Sequence, residues 1–290
     1  MKRETSISVI MSVHNQFNKE ELQNSINSIL EQSMTDIEFL ICDDGSDEVA
    51  SGYIRETAGM DSRIHIVIND KNMGLAASLN RCIKLSQGRY IARMDADDIS
   101  APERLQTQYE FMENNPQYAW CGCNARLYDA NGIWGERVMP EEPDKKDFLK
   151  YSPYIHPTVM FRRDILVKEK GYNAASVTRR CEDYELFMRL TKDGYKGYNI
   201  PEFMFVYKED KCSYKRRTFK NRINESKVRH RGFKQMGIPF FKRVIYGNRP
   251  LMAGFLPSGI ISWWKRKESG FKNERDNPEQ DKLLREAISK

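Results

Sequence analysis

Three carboxylates within four residues are the clearest candidates for chemistry in this chain. Asp95, Asp97 and Asp98 follow a short apolar run at 90–94 that is typical of a strand. Carboxylates this close raise one another's pKa unless a positive group lies among them. A hard divalent cation prefers oxygen ligands and often holds substrate phosphates as well. The pattern therefore predicts a site for Mn²⁺ or Mg²⁺ and a phosphorylated ligand, rather than a merely solvated acidic loop.

A parallel α/β sheet is the fold that the first part of the chain predicts. Short apolar runs alternate with segments whose apolar residues recur at helical spacing, and three strand-and-helix pairs in succession are typical of such a sheet. Ligands bind at the carboxyl ends of its strands, where His14, Asp43 and Asp44 also fall. We expect strands at 7–13, 37–42, 64–68 and 90–94, with helices at 20–32, 47–57 and 75–85.

The residues after the acidic turn predict further elements. Ser100 is placed to cap a helix, with Pro102 in the first turn and Glu103 three residues after the cap. This helix should run to Asn114. We expect strands at 118–128, 155–161 and 197–207, and another helix at 181–191.

Composition indicates an ordinary globular chain of 290 residues, of which 40% are hydrophobic and 30% charged, so a sizeable core is available. Its six cysteines form no CxxC pair and show no zinc-like spacing with the four histidines. We therefore expect reduced, buried thiols. Residues 1–6 are polar and carry no signal-peptide pattern. These features together predict a cytoplasmic protein.

Positive charge is concentrated near the C-terminus. Residues 211–275 hold 18 Lys or Arg against three acids, whereas the whole chain is only +6, so the remainder carries −9. A basic region of this kind implies an anionic partner, either nucleic acid or a membrane face. Nucleic acid is disfavoured, because the aromatic residues of this region are not spaced as stacking platforms and the acidic body would repel phosphate.

An uncharged segment at 251–264 lies within this basic region. It contains Pro257 and two glycines and is shorter than the ~20 residues that a membrane-spanning helix needs. Trp263 and Trp264, followed at once by three cations, suit a segment that lies in the membrane interface. The alternative is a hydrophobic strip packed on the body of the protein. Residues 276–290 form a charged tail.

Several ordered motifs resemble the family 2 glycosyltransferases, and the likeness runs through 7–112 and again through 154–207. The resemblance implies a GT-A fold, a nucleotide-diphosphate sugar as donor, and inversion at the anomeric carbon. Together with the charge distribution, it predicts a catalytic domain at 1–210, a basic helical extension at 211–275 and the tail at 276–290. The motifs are ISVIMSVHN at 7–15, DDGS at 43–46, NMG at 72–74, LNR at 79–81 and GRYIARMDADD at 88–98.

The resemblance also implies roles for the donor-binding residues. Asp44 matches the residue that accepts a hydrogen bond from the nucleotide base, usually uracil, which makes a UDP-sugar the expected donor. Ser12 and His14 would line the same pocket, although a purely structural role at the strand end is as good for His14. Asn80 would border the donor, as would Asn72 unless it only forms the turn with the following glycine.

In the acidic turn, the resemblance makes Asp97 the carboxylate that holds the metal. Asp95 would lie nearer the ribose or a water on the metal. Asp98 is the third member and supports the loop or the site from behind.

A general base is implied near the start of the helix at 181–191. Asp183 matches the base position, with Glu182 beside it; the alternative is that both are first-turn acids that stabilise a helix. His156 belongs to a stretch that matches a family segment on the acceptor side. It would contact donor or acceptor; the alternative is a structural role before Pro157. The chain departs from the family pattern after the last strand, where Lys208 stands in place of the usual arginine of a Tyr-Arg-x-His motif whose histidine is missing. Lys208 or a basic residue at 211–217 would then take over any contact with the diphosphate.

The function expected is an inverting, metal-dependent glycosyltransferase of bacterial surface-polysaccharide synthesis. The acceptor would be a glycan or a polyprenyl-diphosphate-linked saccharide, and the protein would sit on the cytoplasmic face of the cell membrane. A nucleotidyltransferase is the first alternative, but no glycine-rich phosphate loop follows the first strand, where His14 stands. The second alternative is an inactive homologue that only binds donor, although all three positions of the acidic turn are filled.

Overall fold

The computed structural model describes residues 5–59, 61–209, 218–254 and 258–270. Its strands form one nine-stranded sheet, and its helices flank that sheet or follow it. The strands are β1 Ile7–Val13, β2 Ile37–Asp43, β3 Ile64–Ile68, β4 Tyr90–Arg93, β5 Ile99–Ser100, β6 Trp120–Asp129, β7 Gly132–Arg137, β8 Met160–Arg162 and β9 Gly197–Lys208. The helices are α1 Lys19–Leu30, α2 Glu48–Ala58, α3 Leu75–Leu85, α4 Arg104–Asn114, α5 Arg163–Lys168, α6 Glu182–Lys192, α7 Phe219–Gln235, α8 Phe240–Gly247, α9 Arg249–Gly254 and α10 Ser258–Ser269.

The first half of the sheet is parallel, as predicted. Strand order is β3-β2-β1-β4, and each neighbouring pair is parallel. The chain therefore reverses its direction of winding between β3 and β4, which places β1 beside β4. In sheets of this kind the carboxyl ends next to such a reversal form the crevice where ligands bind.

The second half of the sheet is mixed. The short strand β8 runs antiparallel between β4 and β6, β9 is parallel to β6, and β5 lies antiparallel at the edge of β9. The hairpin of β6 and β7 extends outward from the sheet. A mostly parallel sheet with an antiparallel far side agrees with the fold class expected from the sequence.

Hydrophobic clusters cover both faces of the sheet. Alternate residues of β1 point to opposite faces, so Ile7, Val9 and Met11 pack in one cluster with α1, α2 and α4. Ile10 packs in the other with α3, α5, α6 and α7. The five described cysteines are buried, as predicted.

Two predicted elements differ from the observed ones. Ser100 does not cap a helix; it ends β5, and α4 begins only at Arg104, with no side-chain cap. The Ser100 hydroxyl instead accepts a hydrogen bond from Arg104 Nε at 2.7 Å. The strand predicted at 155–161 is also shorter, because His156–Thr158 forms a 3₁₀ turn with Pro157 in it, and only Met160–Arg162 is extended.

The C-terminal helices pack against the catalytic body near both of their ends. Gly232 of α7 lies against the Met188 side chain of α6, where a Cβ would collide. At the other end, Arg266 of α10 pairs with Asp129 of β6, and Gly270 bridges to β7. The predicted tail at 276–290 and part of the predicted extension lie outside the described residues. No described helix combines the length and the apolar character that crossing a membrane requires.

Candidate active site

Three loops meet at the carboxyl edge of β1, β2 and β4, as the sequence predicted. The backbone joins them: Asp44 donates its amide to the Val13 carbonyl at 2.8 Å, and Met94 donates to Ile10 at 3.1 Å. Asn15 accepts a hydrogen bond from the Asp47 amide at 2.9 Å. The first two loops are therefore held against each other, with the acidic turn beside them.

Asp44 is buried and bound to the start of α3. Its Oδ1 accepts from the Asn69 amide group at 2.8 Å and the Met73 backbone at 2.7 Å, and its Oδ2 accepts from the Gly74 backbone at 2.8 Å. Gly74 has a φ of +88°, which a glycine adopts without strain. The carboxylate thus fixes the turn that precedes α3.

Ser12 and His14 lie where the sequence placed them, at the end of β1. Ser12 is half-buried, whereas the His14 ring is exposed. His14 Nδ1 lies 3.0 Å from the Asp44 carbonyl, and since a carbonyl only accepts, Nδ1 is the donor. The hydrogen bond links two of the predicted donor-pocket residues to one another.

The acidic turn is held by hydrogen bonds from three directions. The Ser25 hydroxyl of α1 donates to the Asp95 carbonyl at 2.7 Å, and the Tyr128 hydroxyl of β6 donates to the Asp97 carbonyl at 2.5 Å. The Lys208 backbone amide of β9 donates to Asp98 Oδ1 at 2.8 Å. Since these bonds fix the backbone, the turn is built to hold its side chains in one arrangement.

The three carboxylates differ in exposure. Asp95 and Asp97 are half-buried, while Asp98 is 1% exposed. Burial, together with the charges of Asp97 and Asp95, raises the pKa of Asp98 well above its usual range. Asp98 therefore supports the turn from within, and the two accessible carboxylates are Asp95 and Asp97.

A buried cation that the sequence analysis missed lies beneath this turn. Arg93, 1% exposed, places Nη2 2.5 Å from Asp95 Oδ1. Burial alone lowers the pKa of the Arg93 guanidinium, but Asp95, Tyr172 and Asp98 raise it, and the net direction is upward. The signal was present in the sequence, because a charged residue inside an apolar strand needs a partner.

Tyr172 occupies the space between the acidic turn and α6, and it was also missed. Its backbone exchanges two hydrogen bonds with the Asn80 side chain, both 2.7 Å long. Gly171 before it has a φ of +62°, and a Cβ there would collide with Asn80 Oδ1. Asn80 thus anchors Tyr172, and whether it also borders a donor stays a prediction.

His156 contacts the Tyr172 hydroxyl through Nε2 at 2.7 Å. Burial and the nearby Arg93 charge lower the pKa of His156 well below its usual range. Burial raises the pKa of Tyr172, and the carboxylates of Asp183, Asp95 and Glu182 raise it further. Both partners are therefore neutral near pH 7.

Asp183 and Glu182 lie in the first turn of α6 and are half-buried. Arg180, just before the helix, has a φ of +72°, which is an uncommon backbone conformation for a residue with a side chain. The carboxylates of Asp183 and Asp95 both raise the pKa of Tyr172, so the predicted base and the acidic turn both lie near this residue.

Lys208, which replaces the arginine of the family's Tyr-Arg-x-His pattern, pairs through its ammonium group with Glu21 of α1. The Glu21 carboxylate also accepts from Gln16 at 3.0 Å. Lys208 thus lies near the acidic turn with its charge already partnered. The basic residues at 211–217, the other substitutes considered, lie outside the described residues.

The donor atoms present fit a divalent ion that is shared with a substrate. Among the described residues, no group of three or more His, Cys, Asp or Glu side chains forms a metal cage. Mg²⁺ does not need one, because it is usually held by one or two carboxylates together with substrate phosphates and waters. Asp95 and Asp97 supply such carboxylates, and Asp98 Oδ2 has no hydrogen-bond partner in the described part of the chain.

Comparisons with known proteins show which family the sequence matches. The profile of Glycosyl transferase family 2 matches residues 8–168. EpsE of Bacillus subtilis, to which glycosyltransferase activity is attributed, is 34% identical over 262 residues, or 90% of this chain and 93% of that protein. The O-antigen biosynthesis glycosyltransferase WbnJ of Escherichia coli is 32% identical over 210 residues. This match spans 70% of this chain and 79% of WbnJ.

Solved structures show the same fold. A mannosyltransferase of Pyrobaculum calidifontis, solved with GDP-Man and Mn²⁺, superposes with a TM-score of 0.61 at 16% identity and covers 99% of this chain and 81% of that one. S. aureus TarS with UDP superposes with a TM-score of 0.64 at 13% identity, over 98% and 79% of the two chains. The GT-A fold expected from the sequence is confirmed. By fold and by sequence, the chain is a glycosyltransferase and belongs to glycosyltransferase family 2.

Proposed function

We propose that this enzyme is an inverting, metal-dependent glycosyltransferase that moves a sugar from a UDP-sugar to a hydroxyl of a glycan or lipid-linked saccharide. The position of Tyr172 carries the proposal, because the carboxylates of both Asp95 and Asp183 lie close enough to raise its pKa. The acidic turn and the start of α6 therefore border one space. Transfer from a metal-held diphosphate to a base-activated acceptor requires that arrangement.

The donor base would bind at the ends of β1 and β2. Asp44 Oδ2 accepts one hydrogen bond in the structure, and a carboxylate oxygen has two lone pairs, so it retains capacity for a base N–H. His14 has committed Nδ1, which leaves Nε2 for a ligand. Ser12 would line the same pocket. Asn80 would border the donor and also anchors Tyr172. TarS, solved with UDP, supports a uridine donor.

Asp97, with Asp95 beside it, would hold Mn²⁺ or Mg²⁺. Such an ion, when bound, stabilises the negative charge that develops on a departing diphosphate. Arg93 holds the Asp95 carboxylate from below. Asp98 secures the turn through the Lys208 backbone. The Mn²⁺ in the related mannosyltransferase supports this class of ion.

Asp183 would take the proton from the acceptor hydroxyl as that oxygen attacks the anomeric carbon. A base in this role must lie within hydrogen-bond reach of the hydroxyl, and a negative charge is favoured at the start of a helix. Glu182 and His156 would contact the acceptor or hold Tyr172 in place. Attack from the face opposite the leaving diphosphate inverts the anomeric configuration.

The acceptor would be a growing cell-surface saccharide, for example one carried on a polyprenyl diphosphate. WfaP of Escherichia coli, which is 28% identical over 239 residues, is named as a glucosyltransferase that acts from UDP-Glc on a GlcNAc-diphosphoundecaprenol. A lipid-borne acceptor places the enzyme at the cytoplasmic face of the cell membrane as a peripheral protein. The basic C-terminal helices suit an anionic membrane surface.

The experiment is incubation with a panel of nucleotide sugars and Mn²⁺ or Mg²⁺, with saccharide acceptors, followed by measurement of released nucleoside diphosphate. We expect UDP release with one donor and an anomeric signal of inverted configuration by NMR. Release of pyrophosphate instead would indicate nucleotidyl transfer. Retained configuration, or turnover that is unaffected by EDTA, would contradict the proposed mechanism.

A further inference from the structure

Helix α8 exposes large apolar side chains to an unusual degree. Phe240 is 63% exposed, Phe241 80% and Ile245 63%, with Val244 between them also exposed. Residues four positions apart lie on the same face of a helix, so Phe240 lies beside Val244 and Phe241 beside Ile245. Isolated exposed hydrophobic residues are ordinary, whereas a contiguous patch marks an interaction surface.

The C-terminal end of α8 is attached to the body of the protein. Gly247 is buried against the His230 ring of α7, and Tyr246 packs on the hydrophobic cluster that contains α6 and α7. The Arg229 guanidinium reaches the Tyr246 carbonyl at 3.4 Å. The helix is therefore held in a fixed position with its apolar side outward.

The charged residues that flank α8 in the sequence are all cations. Between Glu225 and Glu268 the chain contains ten Lys or Arg and no Asp or Glu. Two of these cations, Lys242 and Arg243, belong to α8 itself, and Arg243 lies 5.6 Å from the Phe240 ring centroid. Apolar rings flanked by cations are typical of helices that lie in the interface of an anionic membrane.

We propose that α8 is the element that inserts into an anionic lipid surface, with Phe240, Phe241 and Ile245 among the acyl chains and Lys242 and Arg243 at the lipid phosphates. This rests on the membrane association in the proposed function and assigns it to a helix outside the uncharged segment at 251–264. The occupant is lipid rather than a second copy of the chain. Two copies joined through this face would bring their cations together, whereas anionic lipid neutralises them.

Other C-terminal helices also expose large apolar side chains. Met252 of α9 and Trp263 of α10 are exposed, as are Phe219 and Ile223 at the start of α7. Phe219 approaches α9 at Gly254. The inference needs only α8, and these residues would add area to it.

The test is sedimentation of the full-length protein with vesicles of phosphatidylglycerol and phosphatidylethanolamine, and with vesicles of phosphatidylcholine alone. We expect binding to the anionic vesicles that weakens with salt and is far weaker on phosphatidylcholine. Phe241→Ser should lower the partition coefficient by about tenfold, and the double variant with Phe240→Ser by more. Phe17→Ser is the matched control, because Phe17 is 57% exposed on the catalytic body; its binding should be unchanged.

Thermal unfolding of each variant verifies that it is folded. UDP binding with Mn²⁺ is measured in parallel, because it reports the proposed donor site and does not involve α8. If the wild type binds vesicles but does not bind UDP, the donor assignment is wrong and this inference still holds. Equal vesicle binding by the wild type and the double variant, or none by the folded wild type, would overturn it. So would a dimer in sedimentation velocity that Phe241→Ser dissociates.

Discussion

The Tyr172 hydroxyl lies 2.7 Å from Nε2 of His156, which joins the loop before α6 to the 3₁₀ turn before β8. Burial and the Arg93 charge lower the pKa of His156, and burial raises the pKa of Tyr172. Two neutral groups therefore share one hydrogen bond beside a buried cation. The Asp95 and Asp183 carboxylates both raise the pKa of the same hydroxyl, so this pair lies near both of the predicted catalytic carboxylates.

The lowered pKa of His156 predicts a stability change in mildly acid solution. The unfolded chain binds a proton at His156 below a pKa of about 6.5, whereas the folded chain does not, so folding stability is full above that pH and falls as the pH drops through it. Between about pH 7.5 and about pH 5.5, the wild type should lose more stability than His156→Gln, by on the order of 1 kcal/mol. Urea unfolding at both pH values measures this. Equal losses would show that His156 titrates normally in the folded state.

Asp183→Asn should abolish transfer and leave donor binding intact. Loss of a general base lowers the rate by about a hundredfold to ten-thousandfold, while the nucleotide pocket is formed by other loops. Asp193→Asn is the matched control, because Asp193 lies at the opposite end of α6 and is exposed. Steady-state turnover and calorimetric UDP affinity distinguish the two effects. Unchanged turnover in Asp183→Asn would remove that residue from the reaction.

Asp97→Asn should weaken UDP binding only when the metal is present. A carboxylate that holds an ion shared with the diphosphate contributes about tenfold to a hundredfold to that affinity. Calorimetry with Mn²⁺ and with EDTA separates the metal-dependent part from the rest. Asp70→Asn, an exposed carboxylate after β3, serves as the control. A wild-type response to Mn²⁺ in Asp97→Asn would place the ion elsewhere.

Gly171→Ala should destabilise the protein more than Gly194→Ala. Both glycines have a positive φ, +62° and +91°, which costs a residue with a side chain about 1–2 kcal/mol. A Cβ at Gly171 would also collide with Asn80, whereas the space at Gly194 is open. That collision should cost a further 1–3 kcal/mol or so. Chemical denaturation of the two variants gives the difference, and equal losses would show that Asn80 moves aside freely.

The first part of the fold was predictable because its local signals agree with one another. The bounds of β3 and α3 are those predicted, and β1 is the same as well, since apolar periodicity and turn residues both mark these elements. The convergence of His14, Asp44 and the acidic turn followed from the parallel sheet alone. Prediction worked here because the carboxyl ends of parallel strands lie at one edge whatever the order of the strands.

Where the prediction was wrong, tertiary contacts outweighed a local pattern. Ser100 has the sequence of a helix cap, yet pairing of β5 with β9 holds it in a strand, and its hydroxyl serves Arg104. Tyr172 was missed because its partners Asn80 and His156 are distant in sequence. Arg93 was missed although its partner Asp95 is only two positions away. Neutralisation of the acidic turn was assigned to a metal alone, although the strand itself contains a cation.

The Lys208 amide and the Asp98 carboxylate that it contacts are separated by 110 positions in the chain. During synthesis, Asp98 leaves the ribosome well before Lys208. The hydrogen bond between them therefore cannot form until β9 has emerged. Contacts of such separation form late in folding. Any fragment that ends before residue 208 would therefore contain all three acidic side chains but lack the hydrogen bond that holds their turn to β9.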